Sequence, residues 1–202
     1  MTSGLLFYWF SWLLWIYVTF VMKKGKGRTL FAFWILLIIN GSSIYITILD
    51  YKFAISYLFL AIGSLVMLAN SRRLIYHLFS SLTIMILYMA IMLWENYFPI
   101  WMMVSKIFIS PLIIVFIIVL ISKGFYSRVS IALLGISSGE TMYSFILSSY
   151  AIREPIGGYV FFDSVMIIVF LFVGIEVANT LRVKIRSILH VYKKSFHILT
   201  EE

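Results

Sequence analysis

Long apolar stretches recur along this chain and are separated by short polar segments. Each approaches the roughly 20 residues that a helix needs to cross the hydrocarbon layer of a bilayer, which is about 30 Å thick. Helices are the expected conformation, because lipid offers no hydrogen-bonding partner to unpaired backbone groups. The seven stretches are Leu5–Met22, Leu30–Leu49, Phe53–Asn70, Leu74–Leu93, Ile100–Ile121, Val129–Tyr150 and Tyr159–Leu181.

The composition agrees with membrane spans. Of 202 residues, 63% are hydrophobic and 12% are charged, whereas soluble domains have about 45–50% apolar and 25% charged residues. We therefore predict an all-α fold, a seven-span transmembrane bundle over residues 1–181 followed by a basic amphipathic tail over 182–202. The chain contains no cysteine, which excludes disulfides, thiolate metal sites and cysteine nucleophiles. We expect no cofactor and no metal site.

The basic residues alternate between loops in a way that predicts orientation, because lysine and arginine in short loops favour the cytoplasmic side. The loops after spans two and six hold only Lys52 and Arg153, accompanied by Asp50 and Glu154. We predict a multi-pass cell-membrane protein with its N-terminus outside and its C-terminus in the cytoplasm. The net charge of +8 then reflects topology and attraction to anionic inner-leaflet lipids, without a nucleic-acid partner. The cations on the predicted inner side are Lys23, Lys24, Lys26, Arg28, Arg72, Arg73, Lys123, Arg128, Arg182, Lys184, Arg186, Lys193 and Lys194.

The tail has the pattern of an amphipathic helix. Apolar residues recur at helical spacing from Leu181 to Leu199, and such a helix can lie on the inner leaflet. Alternatively, span seven continues into water, or the tail meets a membrane-protein partner or a second copy of the chain. The residues predicted to contact the inner leaflet are Arg182, Lys184, Arg186, Lys193 and Lys194.

Span six is the least lipid-like of the seven. Its hydroxyl residues recur along one helical stripe with Glu140 on or beside it, and polar groups turn toward the interior of a bundle. We therefore expect span six to be central and span four, which is aliphatic in its outer half, to face lipid. The predicted intramembrane polar centre comprises Glu140, Lys106, Asn40, Ser43, Ser110, Ser137 and Ser144.

Glu140 falls at the middle of its span, where an ionised carboxylate costs at least about 2.5 kcal/mol. Lys106 begins about 7 Å nearer the outer face at 1.5 Å per residue, and its long stem can cover that depth. We predict a Lys106–Glu140 ion pair. Two interpretations stay open: the pair fixes helix register, or it marks a proton or solute pathway. Glu176 and Asp163 of span seven are expected to snorkel or cap, with extension of such a pathway as the alternative.

Residues 135–139 match two motifs. As G-x-S-x-G they resemble the nucleophile segment of serine hydrolases, and intramembrane rhomboid proteases likewise use a serine and a histidine from different spans. However, His77 lies near the cytoplasmic end, whereas Ser137 lies near the bilayer centre. As Gly135-x-x-x-Gly139 the same residues predict a close helix-packing face. We favour packing, and expect the protein to be non-enzymatic.

The opening of the chain carries a family resemblance. Residues 7–24 read FYWFSWLLWIYVTFVMKK. With the small size and short loops, this resembles the YphA-type integral membrane proteins of endospore-forming bacilli. The resemblance implies a bacterial cell membrane and supplies no mechanism, because that family is itself uncharacterised.

Two functions follow from these features. The first is a non-enzymatic protein in envelope assembly or partner organisation. The second is a small ion-coupled transporter built around Glu140 and Lys106. A water-sized cavity that reaches Glu140 favours transport, and a dry interior with Lys106 directly on Glu140 favours the first function.

Overall fold

The computed structural model describes residues 4–48, 51–71, 73–97 and 106–199, with the backbone alone at 96–97, 106–107 and 187–199. These ranges contain seven α-helices and one two-stranded sheet. A π-helical turn, Tyr17–Val21, extends the first helix. The elements are α1 Leu5–Ile16, α2 Lys26–Gly41, β1 Tyr45–Ile48, β2 Tyr51–Ala54, α3 Ile55–Ala69, α4 Leu74–Tyr97, α5 Lys106–Ile121, α6 Phe125–Ser149 and α7 Tyr159–Leu199.

Three of the described helices are long and apolar enough to cross a membrane: Leu74–Glu95, Phe125–Ser149 and Tyr159–Arg186. The others are shorter. For example, α2 has 16 residues and α3 has 15, so each is about 22–24 Å long. The prediction of a helical membrane protein is confirmed at this level. Seven crossings and their orientation stay predictions.

The predicted second span, Leu30–Leu49, is wrong in its second half. The helix α2 ends at Gly41, and β1 follows it and pairs antiparallel with β2. Tyr-Ile-Thr-Ile in β1 and Tyr-Lys-Phe-Ala in β2 are rich in the β-branched and aromatic residues that favour strands. Hydropathy alone does not separate such a run from a helical span, because both are apolar.

The hairpin is joined on one edge by the segment between α6 and α7. The backbone N–H of Ala54 donates to the carbonyl of Ile156 at 3.0 Å, and the N–H of Ile156 donates to the carbonyl of Lys52 at 2.8 Å. This pairing satisfies backbone groups that a free strand edge would leave open. The hairpin, the 150–158 segment and the start of α1 lie at the same end of the bundle, here called the hairpin end.

The helix α6 is the centre of the bundle, as predicted, since it contacts α3, α4, α5 and α7. Its closest neighbour is α4. A Cβ added at Gly135 would lie 2.7 Å from Cβ of Ile84, and one added at Gly139 would lie 2.8 Å from Cδ1 of Tyr88. The G-x-x-x-G packing face is therefore confirmed. The expectation that span four faces lipid is wrong for this face, because the two glycines let α4 pack directly on α6.

The start of α1 is fixed by Asp163 of α7, which is 2% exposed. Its Oδ2 accepts a hydrogen bond from the backbone N–H of Gly4 at 2.8 Å, and its Oδ1 accepts one from that of Phe7 at 2.7 Å. The carboxylate thereby satisfies N–H groups at the start of a helix, where its negative charge also favours the helix dipole. Asp163 is thus a capping residue, which is one of the two roles that we expected for it.

The helix α7 is 41 residues long, which corresponds to about 60 Å. It continues without a break across the predicted boundary between the bundle and the tail at residues 181–182. Arg182, Lys184 and Arg186 are exposed, whereas the side chains of Lys193 and Lys194 lie outside the described residues. Docking of the tail on lipid stays a prediction.

Candidate functional site

Glu140 of α6 is buried, with 8% of its surface exposed, and its two carboxyl oxygens face different neighbours. The hydroxyl of Tyr88 on α4 donates to Oε2 at 2.7 Å. The backbone N–H of Gly157, just before α7, donates to Oε1 at 3.4 Å. The bond from Tyr88 has the short length typical of hydrogen bonds to carboxylates, and the one from Gly157 is longer than usual. Glu140 therefore connects α4, α6 and the 150–158 segment.

Gly157 reaches Glu140 through a backbone conformation that requires glycine. Its φ is +77°, in the left-handed region that side chains with a Cβ rarely adopt. A Cβ at this position would also lie 2.5 Å from Cβ of Tyr57. Ile156, immediately before it, is hydrogen-bonded to the hairpin. The pairing of loop and hairpin thus aims the Gly157 N–H into the bundle.

Tyr57 of α3 forms the second half of this site. It is 4% exposed, and its hydroxyl lies 2.5 Å from the carbonyl oxygen of Ser137 and 2.5 Å from Oγ1 of Thr141. Both partners belong to α6, so Tyr57 joins α3 to the central helix. We call the set Glu140, Tyr88, Gly157, Tyr57 and Thr141 the carboxylate cluster.

Three serines of the predicted polar centre are buried. Ser137 and Ser144 are buried on α6, as is Ser110 on α5. The hydroxyl of Ser137 has no hydrogen-bond partner among the described residues.

Two residues of the predicted polar centre, Asn40 and Ser43, are exposed on the bundle surface. The Nδ2 group of Asn40 donates to the carbonyl of Leu36 at 3.0 Å, and Oγ of Ser43 lies 3.4 Å from the hydroxyl of Tyr159. Their predicted interior position is wrong because α2 ends at Gly41. They lie where the helix stops, instead of in the middle of a span.

Lys106 is the first residue of α5, but its side chain lies outside the described residues. The Lys106–Glu140 ion pair therefore stays a prediction. The contacts described for Glu140 are those with Tyr88 and Gly157.

The arrangement around Ser137 does not resemble a serine hydrolase site. A catalytic serine needs a base within hydrogen-bonding reach, yet within the described ranges neither Oγ of Ser137 nor Nδ1 of His77 has a hydrogen-bond partner. The residues that the structure describes also contain no group of three or more His, Cys, Asp and Glu side chains that could hold a metal ion.

A cavity of about 810 Å³ lies at the hairpin end, within the range of roughly 300–1,000 Å³ that is typical of small-molecule sites. Ser144 lines it and lies one helical turn, about 6 Å, from Glu140. Glu140 itself does not line it. The cavity is lined by Tyr45, Thr47, Tyr51, Lys52, Ser144, Ser148, Arg153, Glu154 and Pro155.

Sequence reasoning missed Tyr57, Tyr88 and Gly157. A signal was available for the tyrosines, since a phenol at membrane depth must find a hydrogen-bond partner. Pro155 followed by Gly157 and Gly158 is likewise a turn signal. The sequence contains no information on which of these groups meet Glu140.

The described part of the chain is mostly helical, and three of its helices are long and apolar enough to cross a bilayer. Its buried carboxyl groups Glu140 and Asp163 are hydrogen-bonded inside the bundle. These features are those of a helical integral membrane protein. The YphA-like integral membrane protein family matches residues 3–197, and the chain belongs to that family. It is 26% identical over 159 residues to the uncharacterised protein YphA of Bacillus subtilis (strain 168), covering 76% of this chain and 77% of that one. No solved structure matches. The resemblance found in the opening residues is thus confirmed.

Proposed function

We propose that this protein is a non-enzymatic multi-pass protein of the bacterial cell membrane that organises partners in the envelope. Its N-terminus lies outside and its C-terminal helix extends into the cytoplasm. The length of α7 carries this proposal. The helix has 41 residues, and the part beyond residue 181 adds about 27 Å at 1.5 Å per residue.

The hydrogen bonding of the buried carboxyl groups supports a structural role for the interior. Glu140 binds groups on α4 and on the 150–158 segment. Asp163 caps α1. Each group connects elements that are distant in sequence. Such contacts give a bundle a defined arrangement, as a scaffold requires.

The extension of α7 provides the working surface. Arg182, Lys184 and Arg186 are exposed, and cations just inside a membrane are attracted to anionic lipids at about 1 kcal/mol each. The helix would bring a partner, or a second copy of the chain, to the inner leaflet.

Copurification from native membranes tests this proposal. The tagged full-length chain is crosslinked and compared with a chain lacking residues 182–202 and with a full-length variant whose five tail cations are changed to glutamine. We expect a reproducible stoichiometric partner with the full chain and its loss on truncation. A partner set unchanged by truncation would contradict the proposed role of α7. The glutamine variant separates electrostatic recruitment from contact through the apolar face. The five changes are Arg182→Gln, Lys184→Gln, Arg186→Gln, Lys193→Gln and Lys194→Gln.

A second candidate is an ion-coupled transporter that uses Glu140, because this residue lies close to the cavity although it does not line it. The lining of the cavity reaches Ser144, one turn from the carboxyl group. If the protein is such a transporter, proteoliposomes that contain it should show a proton flux, and the Glu140→Gln variant should abolish this flux. Lys123→Gln, at an exposed position between α5 and α6, should leave the flux unchanged and serves as the control. A flux no greater than that of protein-free liposomes would exclude this candidate.

A further inference from the structure

The cavity at the hairpin end brings together two cations that are far apart in sequence. Lys52 lies on β2, and Arg153 lies on the segment after α6. The backbone N–H of Ile156 donates to the carbonyl of Lys52 at 2.8 Å. This pairing places the strand carrying Lys52 beside the segment carrying Arg153, and both side chains line the same space.

These two cations differ from the other basic residues in their place along the chain. The sequence concentrates lysine and arginine in the alternate loops, where they favour the cytoplasmic side. Lys52 and Arg153 lie in the other set of loops. Positive-inside topology therefore gives no reason for their presence or for their convergence on one cavity.

We propose that this cavity binds a small ligand carrying a phosphate group. Among the described residues, the lining has two cations and one carboxylate, so this part of it has an excess of positive charge. Arginine and lysine both bind phosphate oxygens. The hydroxyl groups of Thr47, Ser144 and Ser148 provide further donors to an oxyanion that accepts several hydrogen bonds.

The remaining lining residues fit the other half of such a ligand. The carboxylate of Glu154 accepts hydrogen bonds from hydroxyl groups, and Tyr45 and Tyr51 offer aromatic surface beside it. The ring of Tyr51 packs against that of Phe145 with centroids 4.9 Å apart. This contact and the backbone pairing of the hairpin hold the cavity open before a ligand arrives, which reduces the entropy lost on binding. A glycerol phosphate group has the required chemistry, whether as a soluble ester or as a lipid headgroup.

Binding to the purified full-length chain tests this site and separates the two sources. In one arm, protein in phosphatidylcholine nanodiscs is titrated with glycerol 3-phosphate by calorimetry, with glycerol as the neutral control. In the other arm, nanodiscs contain phosphatidylglycerol, and retained lipid is counted by native mass spectrometry. Saturable binding in the first arm identifies a soluble ester. Specific retention in the second arm alone identifies a headgroup.

Charge removal ties the binding to this cavity. We expect Arg153→Gln and Lys52→Gln each to weaken binding about tenfold or more, because each removes a charged hydrogen-bond donor. Lys123→Gln, at an exposed position between α5 and α6, should bind like the unchanged chain. Melting curves without ligand establish whether each variant is folded. If one of the two cavity variants does not fold, the other one is enough for the test. Binding in neither arm, or equal binding by all variants, would overturn the proposal.

Discussion

At the scale of single residues, Glu140 stays buried because donors reach it from two directions. The hydroxyl of Tyr88 approaches from the neighbouring helix, and the N–H of Gly157 approaches from the hairpin end. Removing either donor would leave a buried oxygen without a partner, and such a group costs about 1–3 kcal/mol. The cluster should therefore be sensitive to changes that are small in volume.

Tyr88→Phe is the smallest change that tests this dependence. It removes the hydroxyl that lies 2.7 Å from Oε2 of Glu140, so we expect a loss of about 1–3 kcal/mol in the free energy of unfolding. Denaturant unfolding of the detergent-solubilised protein measures it. Tyr17→Phe alters a tyrosine that is 57% exposed and should be neutral. Equal stability of the Tyr88→Phe variant and the unchanged chain would show that the hydrogen bond contributes little.

Gly157→Ala tests the backbone that positions the second donor. The new Cβ would lie 2.5 Å from Cβ of Tyr57, and φ is +77°. Left-handed strain of about 1–2 kcal/mol adds to about 1–3 kcal/mol of overpacking, so we expect a marked fall in melting temperature. Gly158→Ala is the matched control, because its nearest neighbour would be 3.8 Å away. If both alanine variants have the same melting temperature, the conformation of Gly157 is not constrained as described.

At the scale of elements, the contact between α4 and α6 depends on two glycines. In Gly135→Ala, the added Cβ would lie 2.9 Å from the backbone oxygen of Ser81. In Gly139→Ala, the added Cβ would lie 3.1 Å from the backbone oxygen of Met85. Backbone atoms cannot rotate away, so the helices must separate. We expect each variant to lose about 1–3 kcal/mol in unfolding free energy.

The control for these variants is Gly174→Ala on α7. Nothing lies within 4 Å of the Cβ that it would add, and alanine is the better helix former by about 1 kcal/mol. It should be neutral or stabilising in the same unfolding measurement. Similar losses in all three variants would indicate a general effect of the substitution instead of a packed α4–α6 interface.

The sequence predicted helices more reliably than their ends. Apolar runs identified each helix, and the hydroxyl stripe with Glu140 correctly made α6 central. The hairpin was missed because the run around Tyr45–Ile48 has the hydropathy of a span. The burial of one face of α4 was missed because Ile84 and Tyr88 look lipid-compatible, and only the facing glycines on α6 decide which surface they meet. The prediction for Asn40 failed for the same reason as that for the hairpin. The apolar run continues past Gly41, where α2 ends, so Asn40 lies near a helix end on the surface instead of in the middle of a span.

The candidate site was partly predictable. Glu140 was recognisable because a carboxyl group in an apolar span needs a special environment. Its donors were not, since Tyr88 lies 52 residues away and a backbone N–H such as that of Gly157 leaves no trace in residue type. The cavity also depends on pairing between Lys52 and Ile156, which is a long-range contact that local patterns do not encode.

At the scale of the whole molecule, the two ends of the bundle differ in chemistry. The hairpin end contains the cavity and the segment that reaches Glu140. Most of the lysines and arginines whose side chains are described lie at the opposite end, together with the extension of α7. This division is what positive-inside insertion would produce with the hairpin end outside. With that insertion, α7 would be the element that reaches from one compartment well into the other.

Single-cysteine labelling in intact cells tests this orientation directly, and the chain has no cysteine of its own. Arg153→Cys probes the hairpin end, and Lys123→Cys probes the opposite end; both positions are exposed. With a membrane-impermeant maleimide, we expect the first variant to be labelled in intact cells and the second only after lysis. Labelling of both variants in intact cells, or the reverse pattern, would contradict a membrane protein whose cavity faces outward and whose C-terminal helix lies in the cytoplasm.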